Sequence, residues 1–400
     1  MLPPSLKSDF PILGQSVNGK PLVYLDNAAT SQNPTSVIES SRRYYEEINS
    51  NIHRGTHYLA RAATEAHEAA RRTIASHIGA ATPDEVIFTS GCTDSINLLA
   101  NILPLAPGDE ILISTLEHHS NIVPWQMLAE RFHGKITVIP CDESGVLDQA
   151  AFKSLLTEKT KILALTWVSN AFGTVNPVHE MVAAAAANGT FTFVDAAQAI
   201  PHMQIDVHSL GADFIAFSGH KVYAPTGIGI LWGRLALLQT LPPWRGGGEM
   251  IKEVTFQKTT YNEPPFKYEA GTPNIEGGIA LAAALDYVNS IGLAEIHLHE
   301  QALIRHAAAL LQEIPGIRLF GPPDRIGALS FAIDGIHHYD LGTLIDQMGV
   351  AVRTGHHCCQ PLMARFGITG TTRASFALYN TIEDVETLVS AVQRAIKMLR

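Results

Sequence analysis

Seven short apolar runs recur along the first part of the chain, and they constrain its fold more than any other feature. Most are separated by enough residues for a crossover helix, which parallel strands need between them. Strands that alternate with helices predict βαβ units and a mainly parallel sheet whose carboxyl edge binds ligands. The last two runs are too close for a helix and predict a hairpin or an antiparallel edge. The seven runs are Val86–Phe88, Ile111–Ser114, Ile136–Ile139, Ile162–Val168, Phe191–Val194, Phe214–Phe217 and Ile228–Trp232.

Helical patterns fill several of the intervals between these runs. Thr64 can cap a helix that continues through Arg72 and ends near Gly79. Two further segments carry helical patterns, Val123–Phe132 and His179–Ala187. The sequence therefore predicts an α/β fold in which helices flank a seven-stranded, mostly parallel sheet.

The regular alternation of strands and helices stops beyond residue 285, where the patterns predict fewer strands and longer helices. That balance is typical of a smaller α+β domain. We therefore expect an N-terminal arm at 1–22 that packs with the small domain, a large domain at 23–285 and a small C-terminal domain at 286–400. The loop at 244–274 is rich in Gly, Pro and polar residues and is expected to be functional or interfacial. The late elements are helices at Glu295–Gln312, Asp340–Met348 and Thr381–Leu399 and a strand at Ala328–Phe331.

Composition and charge argue against several classes of function. The chain has 28 basic and 38 acidic residues and a formal charge of −10, which disfavours nucleic-acid and anionic-membrane surfaces. Its small-apolar stretches, such as Met181–Ala187, are far too short to span a bilayer. The N-terminal residues Met1–Phe10 carry no signal-peptide pattern. We expect no nucleic-acid partner and no membrane.

The number and spacing of the cysteines and histidines indicate the cellular location of the protein and whether it binds a metal. Four cysteines in 400 residues are too sparse for a disulfide framework, so a reducing cytoplasm is the expected location. No CxxC pair appears, and the 18 histidines show no metal-ligand spacing with carboxylates or thiolates apart from His357-Cys358. We therefore expect no metal site.

Lys221 ends the run Ser218-Gly219-His220-Lys221 and is followed by a turn rich in Gly and Pro. Upstream, Asp195 ends an apolar strand. An acid that faces a pyridine nitrogen keeps it protonated, and a lysine whose pKa is lowered can form a Schiff base. The pair therefore indicates pyridoxal phosphate (PLP) as the cofactor. Taken alone, Lys221 would more often be one surface lysine among many.

A Gly-containing turn joins a strand to a helix at Thr89–Asn97. The backbone N–H groups of such a helix start, together with a hydroxyl, can hold a phosphate. Ser218 and His220 could add donors from the neighbouring strand end. The alternative is an ordinary helix start that Thr93 or Asp94 caps.

His118 and His119 follow the strand at Ile111–Ser114, again at the carboxyl edge of the predicted sheet. An imidazole there can lie on a pyridine ring or shuttle protons at neutral pH. One of the two histidines is expected only to pack or to cap.

The last part of the chain holds a candidate nucleophile and a candidate anion clamp. Cys358 and Cys359 lie in a segment that His, Gly and Pro neighbours mark as a loop. A cysteine beside two histidines can have its thiolate favoured, and the thiolate is the nucleophile. A free cysteine is more often a buried, inert residue, which is how we interpret Cys92 and Cys141. Arg373 can clamp a substrate carboxylate, or it can be a surface ion-pair partner.

Together these motifs resemble the group II (Suf/Csd-type) cysteine desulfurases, within the class V, fold-type I PLP enzymes. The resemblance runs nearly end to end, and it implies a fold-type I PLP-dependent transferase that forms a homodimer. The motifs that carry it are Tyr24-Leu25-Asp26-Asn27-Ala28-Ala29, His53-Arg54-Gly55, His118-His119 with Asn121-Ile122-Val123-Pro124-Trp125, Ser218-Gly219-His220-Lys221, Glu269-Ala270-Gly271-Thr272-Pro273-Asn274, Arg353-Thr354-Gly355-His356-His357-Cys358 and Arg373-Ala374-Ser375.

The resemblance also implies a role for each candidate site residue. Lys221 would carry the cofactor and move the substrate's α-proton, and Cys358 would attack the substrate's sulfur and become a persulfide. The other implied contacts are Asp195 with the ring nitrogen, Gln198 with the phenolic oxygen, His118 stacked on the ring, Thr93, Ser218 and His220 with the phosphate, Thr272 with the phosphate from the other subunit, and Asn170 and Arg373 with the substrate carboxylate.

The chain departs from the family pattern at three positions. Cys92 stands where the family commonly has a hydroxyl, which puts one phosphate or neighbouring contact in doubt. Ala196 replaces a common glycine and adds one methyl group, which is tolerated if its φ is negative. Cys359, beside the nucleophile, could resolve a persulfide or simply pack.

The implied reaction converts L-cysteine to L-alanine and passes sulfur from Cys358 to an acceptor protein of the SufE/CsdE type, for iron–sulfur cluster assembly. L-selenocysteine is an alternative substrate, as in a selenocysteine lyase. A kynureninase-like lyase or a class V aminotransferase would need Lys221 and Asp195 but not Cys358. A third interpretation is an idle PLP-fold subunit that serves as a scaffold, and the intact set of all three residues argues against it.

Overall fold

A seven-stranded sheet forms the centre of the structure, a computed structural model that describes residues 1–400. All seven strands coincide with the predicted apolar runs, so the predicted mostly parallel sheet is confirmed. In space the strands follow the order β1-β7-β6-β5-β4-β2-β3. They are β1 Val86–Thr89, β2 Glu110–Ser114, β3 Lys135–Ile139, β4 Thr160–Thr166, β5 Phe191–Asp195, β6 Phe214–Ser218 and β7 Gly229–Gly233.

Strand β7 is the one antiparallel member of the sheet. It pairs antiparallel with β6 on one side and with β1 on the other. Of the two predicted alternatives, the antiparallel hairpin pairing of β6 with β7 is the one observed, and the edge position is not, because β1 lies outside β7. All five residues of β7 are buried, since the strand has hydrogen-bonded neighbours on both sides and the two faces of the sheet are covered.

Thirteen α-helices accompany the strands. The predicted start at Thr64 is wrong: the helix begins at Tyr58, where His57 supplies the N-cap. Thr64 lies inside it and donates its hydroxyl to the carbonyl of Ala60 at 2.7 Å. The helices are α1 Thr35–Arg43, α2 Tyr58–His77, α3 Cys92–Ile102, α4 Val123–Phe132, α5 Gln149–Leu155, α6 Val178–Ala187, α7 Val207–Leu210, α8 Leu235–Thr240, α9 Ile275–Ile291, α10 Leu293–Gln312, α11 His338–Asp346, α12 Gln360–Arg365 and α13 Ile382–Leu399.

The C-terminal part is a smaller α+β unit, as expected. Its four strands form an antiparallel sheet in the order β8-β9-β11-β10, with α10, α11 and α13 among its helices. Helix α9 runs through residue 285, so the predicted division falls inside a helix, and that division stays a prediction. The four strands are β8 Ile317–Phe320, β9 Ala328–Ile333, β10 Arg353–Gly355 and β11 Thr371–Ser375.

The N-terminal residues contact this C-terminal part. Lys7 forms an ion pair with Asp384 at 2.8 Å, and the backbone N–H of Leu2 donates to Nδ1 of His299. Taken one at a time, no helix has both the length and the apolar character to cross a membrane; only the bent pair of α9 and α10 passes on those two criteria.

The sheet brings distant segments of the chain to one edge. Strand β4 ends at Thr166, β5 at Asp195 and β6 at Ser218, and helix α3 begins at Cys92 after β1. Carboxyl ends of parallel strands meet at the same edge of a sheet, where α/β proteins bind their ligands. The candidate site lies there.

Candidate active site

A cavity lies at this carboxyl edge, and most of the predicted site residues line it. Its volume is about 640 Å³, counting the part open to solvent, which lies within the range of roughly 300–1,000 Å³ typical of small-molecule sites. Arg353, Cys92 and Ser120 also contribute to its wall. The predicted residues that line it are Thr93, His118, Asn170, Asp195, Gln198, Ser218, His220 and Lys221.

Asp195 and Lys221 face the same cavity from the ends of β5 and β6. Burial raises the pKa of Asp195, and the positive charge of Lys221 opposes that rise. Burial lowers the pKa of Lys221, with Asp195 opposing. Lys221 Nζ has no hydrogen-bond partner, whereas Oδ1 of Asp195 accepts from the Ala197 N–H at 2.9 Å and from the Cys92 thiol at 3.3 Å. The arrangement offers a nucleophilic amine and a carboxylate with Oδ2 free.

The opposite end of the cavity is built to hold an anion. Helix α3 begins there at Cys92, and the first N–H groups of a helix have no acceptors within it. Gly91 precedes it with φ +147°, and a Cβ placed on Gly229 would lie 2.3 Å from the Gly91 Cα. Only glycine permits so close an approach of two backbones. Ser218 accepts the Cys92 N–H at 2.9 Å, which locks the helix start to the end of β6.

Two histidines in the cavity are neutral. Burial, followed by the charge of Lys221, lowers the pKa of His118 to about 3 and that of His220 to about 4. The Ser120 N–H donates to Nδ1 of His118 at 3.1 Å, and Ser120 Oγ lies 2.7 Å from the same nitrogen. Since Nδ1 is an acceptor, the proton of the neutral ring is on Nε2.

These groups fit PLP. A helix start with hydroxyls matches a phosphate, a buried carboxylate with a free oxygen matches a protonated ring nitrogen, and an unpaired amine matches an aldehyde. Gln198 adds a buried amide, whose Nε2 donates to the Ala28 carbonyl at 2.7 Å. Ala196 is not among the residues with positive φ, so the methyl group that departs from the family pattern causes no strain there.

The Cys358 loop is docked on the loop that carries the two histidines. His119 N–H donates to the Cys358 carbonyl at 2.8 Å, and Nε2 of His119 accepts the Gln360 N–H at 3.1 Å. His357 and Cys358 both have left-handed φ, +51° and +58°, a rare conformation for residues other than glycine. The tight turn leaves Cys358 half-buried beside the cavity.

The charge beside Cys358 differs from the sequence expectation. Burial lowers the pKa of His357 well below its ordinary value, so this neighbour is neutral. The His356 ring accepts the Cys358 N–H at 3.1 Å through Nδ1. The nearby cation is Arg353, whose Nη2 lies 3.5 Å from Cys358 Sγ. Arg353 therefore places a permanent positive charge near the sulfur.

Proteins of known identity that resemble this chain over its whole length include cysteine desulfurases. The aminotransferase class-V family model matches residues 23–388. The cysteine desulfurases of Serratia proteamaculans (strain 568) and Dickeya dadantii (strain 3937) are 48% and 47% identical to the chain, and each alignment covers 98% of it and 98% or 97% of the relative. The crystal structure of cysteine desulfurase CsdA from Escherichia coli, in its S-sulfonic acid form, superimposes with a TM-score of 0.93 at 39% identity over all of both chains. The apo cysteine desulfurase of Thermococcus onnurineus NA1 gives 0.95 at 37% identity, over 100% of this chain and 99% of that one.

The chain belongs to the class-V aminotransferase family. Its relatives at this level of identity confirm the predicted enzyme class, cysteine desulfurase, and the predicted cofactor, PLP. The fold-type I architecture is confirmed with them.

The substrate-carboxylate residues predicted for this desulfurase are engaged with protein groups. Arg373 is fully buried, with hydrogen bonds to Asp26 Oδ1 at 2.9 Å and to the Asn170 carbonyl at 2.8 Å, while its Nε has no partner. Asn170 donates Nδ2 to the His357 carbonyl and accepts the Cys359 thiol on Oδ1. Their role toward substrate stays a prediction, and Asn170 already holds the Cys358 loop.

Two further predicted residues of the desulfurase lie outside the cavity. Cys359 is fully buried, burial raises its pKa to about 12, and its thiol donates to Asn170 at 3.0 Å. Of the two alternatives for it, packing fits this environment. Thr272 is exposed in the turn before α9, 3.5 Å from Asn51, and it does not line the cavity. The predicted long loop at 244–274 contains a short hairpin, Ile251–Val254 with Thr259–Tyr261.

Sequence reasoning assigned no role to three residues that the fold brings to the site. Arg353 lines the cavity. The thiol of Cys92 donates to Asp195, although its backbone N–H lies at the phosphate end. Glu117, which precedes His118 in the chain, is fully buried; burial raises its pKa to about 8, and Ser114 and Asn121 donate to it. Arg353 stands inside a quoted motif and Glu117 directly precedes one, but no local pattern marks which partners they meet.

Proposed function

We propose that this chain converts L-cysteine to L-alanine and holds the released sulfur as a persulfide on Cys358. The observation that carries the proposal is the docking of the Cys358 loop on His119, which sets a half-exposed thiol beside a cavity that contains Lys221 and Asp195. An aminotransferase or a kynureninase-like lyase has no use for a thiol held in that place.

Bound PLP supplies an electron sink next to the substrate's Cα. Lys221 would hold the cofactor and move the α-proton on Nζ, a role that its lowered pKa supports. Asp195 would keep the ring nitrogen protonated through Oδ2. His118 would lie on the ring, and Gln198 would bind the phenolic oxygen.

The remaining residues form two groups, one that would hold the phosphate and one that would hold the substrate. Thr93, Ser218 and His220 would hold the phosphate at the start of α3. Arg373 and Asn170 would hold the substrate carboxylate, and Arg353 offers a second guanidinium that already lines the cavity.

Sulfur transfer at Cys358 balances without an added oxidant. The Cys358 thiolate attacks the substrate's sulfur, an S–S bond forms, and the Cβ–S bond breaks with its electron pair left on the carbon. That carbon takes a proton and becomes the methyl group of alanine. Arg353, 3.5 Å from Sγ, would stabilise the thiolate before attack.

Delivery of the sulfur needs a second protein. Cys358 is half-buried rather than enclosed, which leaves a persulfide open to the thiol of an acceptor of the SufE/CsdE type. Iron–sulfur cluster assembly would be the destination, in the cytoplasm. In the homodimer that the family resemblance implies, the exposed Thr272 would reach the phosphate of the other subunit.

The test is the release of alanine and sulfide from L-cysteine by holoenzyme with a thiol reductant. Wild type should release the two in equal amounts, and Cys358→Ala should lose both while keeping the visible absorption of bound PLP. Cys141→Ala, which changes a buried cysteine that does not line the cavity, is the matched control. Alanine release that survives in Cys358→Ala would remove the persulfide from the mechanism and leave a lyase.

A further inference from the structure

Cys92 joins the two ends of the cofactor cavity. It is the first residue of α3 and is 5% exposed. Its backbone N–H donates to Ser218 Oγ at 2.9 Å, at the phosphate end, while its thiol donates to Asp195 Oδ1 at 3.3 Å, at the other end. A sulfur hydrogen bond of this length is within the normal range for the larger atom.

The thiol stays protonated in this place. Burial raises the pKa of Cys92 well above its ordinary value, and the carboxylate of Asp195 adds to the rise. Lys221 opposes it without reversing it. Cys92 is therefore a donor and neither a thiolate nor a nucleophile at neutral pH.

The two donors to Asp195 share one oxygen. The Ala197 N–H and the Cys92 thiol both point to Oδ1, and Oδ2 receives neither. A carboxylate held by one oxygen cannot rotate freely, so Oδ2 keeps a defined position. The thiol is also a weaker donor than a hydroxyl, so it withdraws less negative charge from the carboxylate.

We propose that Cys92 is a positioning residue that acts through Asp195 on the ring nitrogen of PLP. This inference rests on the proposed function, because it takes Asp195 as the partner of that nitrogen. By holding Oδ1, the thiol presents Oδ2 to the protonated nitrogen, and as a weak donor it leaves Oδ2 strongly basic. A hydroxyl at this position would hold the same geometry with a less basic carboxylate.

The first measurement is the dissociation constant of PLP from apoenzyme, by spectrophotometric titration. Cys92→Ala should bind PLP about fivefold more weakly, which corresponds to about 1 kcal/mol for one lost hydrogen bond. Cys92→Ser, which keeps a donor, should return to within about twofold of wild type. Cys141→Ala, another buried cysteine, is the control for the loss of a thiol alone, and thermal unfolding of each apoprotein controls for misfolding.

A PLP analogue with carbon in place of the ring nitrogen distinguishes two roles for Cys92, the positioning of Asp195 and the mere filling of space. Because it lacks the group that Asp195 would hold, wild type and Cys92→Ala should bind it within about twofold of each other. The wavelength of the bound-PLP band should also differ among the alanine, serine and wild-type proteins, since the basicity of Asp195 differs.

The outcomes are distinct. Equal weakening of PLP and the analogue in Cys92→Ala, or no rescue by serine, would show that Cys92 only fills space and would overturn the inference. Unchanged PLP affinity and band position in Cys92→Ala would overturn it as well. Failure of the proposed function would appear elsewhere, as wild-type holoenzyme that releases no alanine from L-cysteine.

Discussion

The N–H of His119 donates to the carbonyl oxygen of Cys358 at 2.8 Å, which ties the nucleophile loop to the loop that carries His118. The same histidine accepts the Gln360 N–H on its ring. The loop is therefore held at Cys358 itself and at Gln360, two residues further on, and a thiol held in one place loses little entropy on reaching the substrate.

Replacing His119 by alanine should slow sulfur transfer. The backbone bond to Cys358 remains, but the acceptor for Gln360 is lost, so the loop has more freedom. We expect kcat for sulfide release to fall about fivefold, for a loss of about 1 kcal/mol, with PLP affinity unchanged. His208→Ala, an exposed histidine on α7, is the control. A fall in PLP affinity equal to the fall in kcat would contradict the view that the His119 ring acts by holding the Cys358 loop through Gln360.

Gly229→Ala should weaken PLP binding by at least about fivefold, because overpacking by one methyl group costs about 1–3 kcal/mol. The added Cβ would lie 2.3 Å from the Gly91 Cα, so the start of α3 must shift. The measurement is a PLP titration of apoenzyme. Gly246→Ala meets nothing within 4 Å and should bind as wild type does; equal affinities of the two variants would show that the close approach is irrelevant to the phosphate.

Alkylation should distinguish the four free cysteines. Cys358 is half-buried, whereas Cys92, Cys141 and Cys359 are buried, and burial raises the pKa of each of these three. Iodoacetamide should therefore modify native holoenzyme at Cys358 alone, as read by peptide mass spectrometry, and should modify all four in denaturant. Modification of Cys359 at a rate similar to that of Cys358 would reopen its role in resolving a persulfide.

The stability of the apoprotein should fall as the pH drops below neutrality. His67 is fully buried, neither ring nitrogen has a partner, and burial lowers its pKa to about 4, with Arg71 adding to the effect. Between about pH 6.5 and pH 4 the unfolded chain binds a proton at this residue and the folded chain does not. The free energy of unfolding therefore decreases toward low pH, by up to about 1.4 kcal/mol per pH unit for one such group.

His67→Leu removes this group and should flatten the profile in urea unfolding over the same range. His118 and His220, whose pKa values burial also lowers, keep part of the slope. An unchanged slope in His67→Leu would mean that His67 binds its proton equally in both states.

The sheet could be read from the chain because the apolar runs are local features. Each strand of the seven coincides with a predicted run. The position of β7 could not be read, since its neighbour β1 is distant in sequence and the pairing depends on backbone contact between Gly91 and Gly229. The start of α2 was missed because a histidine, His57, caps it in place of the usual hydroxyl.

The candidate site, like the fold, could be predicted from the sequence only in part. Motif and spacing are properties of a continuous segment, so the residue types after the strands, such as Asp195 and Lys221, and the loop that carries Cys358 were predictable from the chain. The approach of Arg353 to the sulfur and the hydrogen bond from Cys92 to Asp195 were not predictable and are seen only in the folded protein. Such contacts join segments that are adjacent only after the sheet has assembled, and their geometry depends on packing that no single segment encodes.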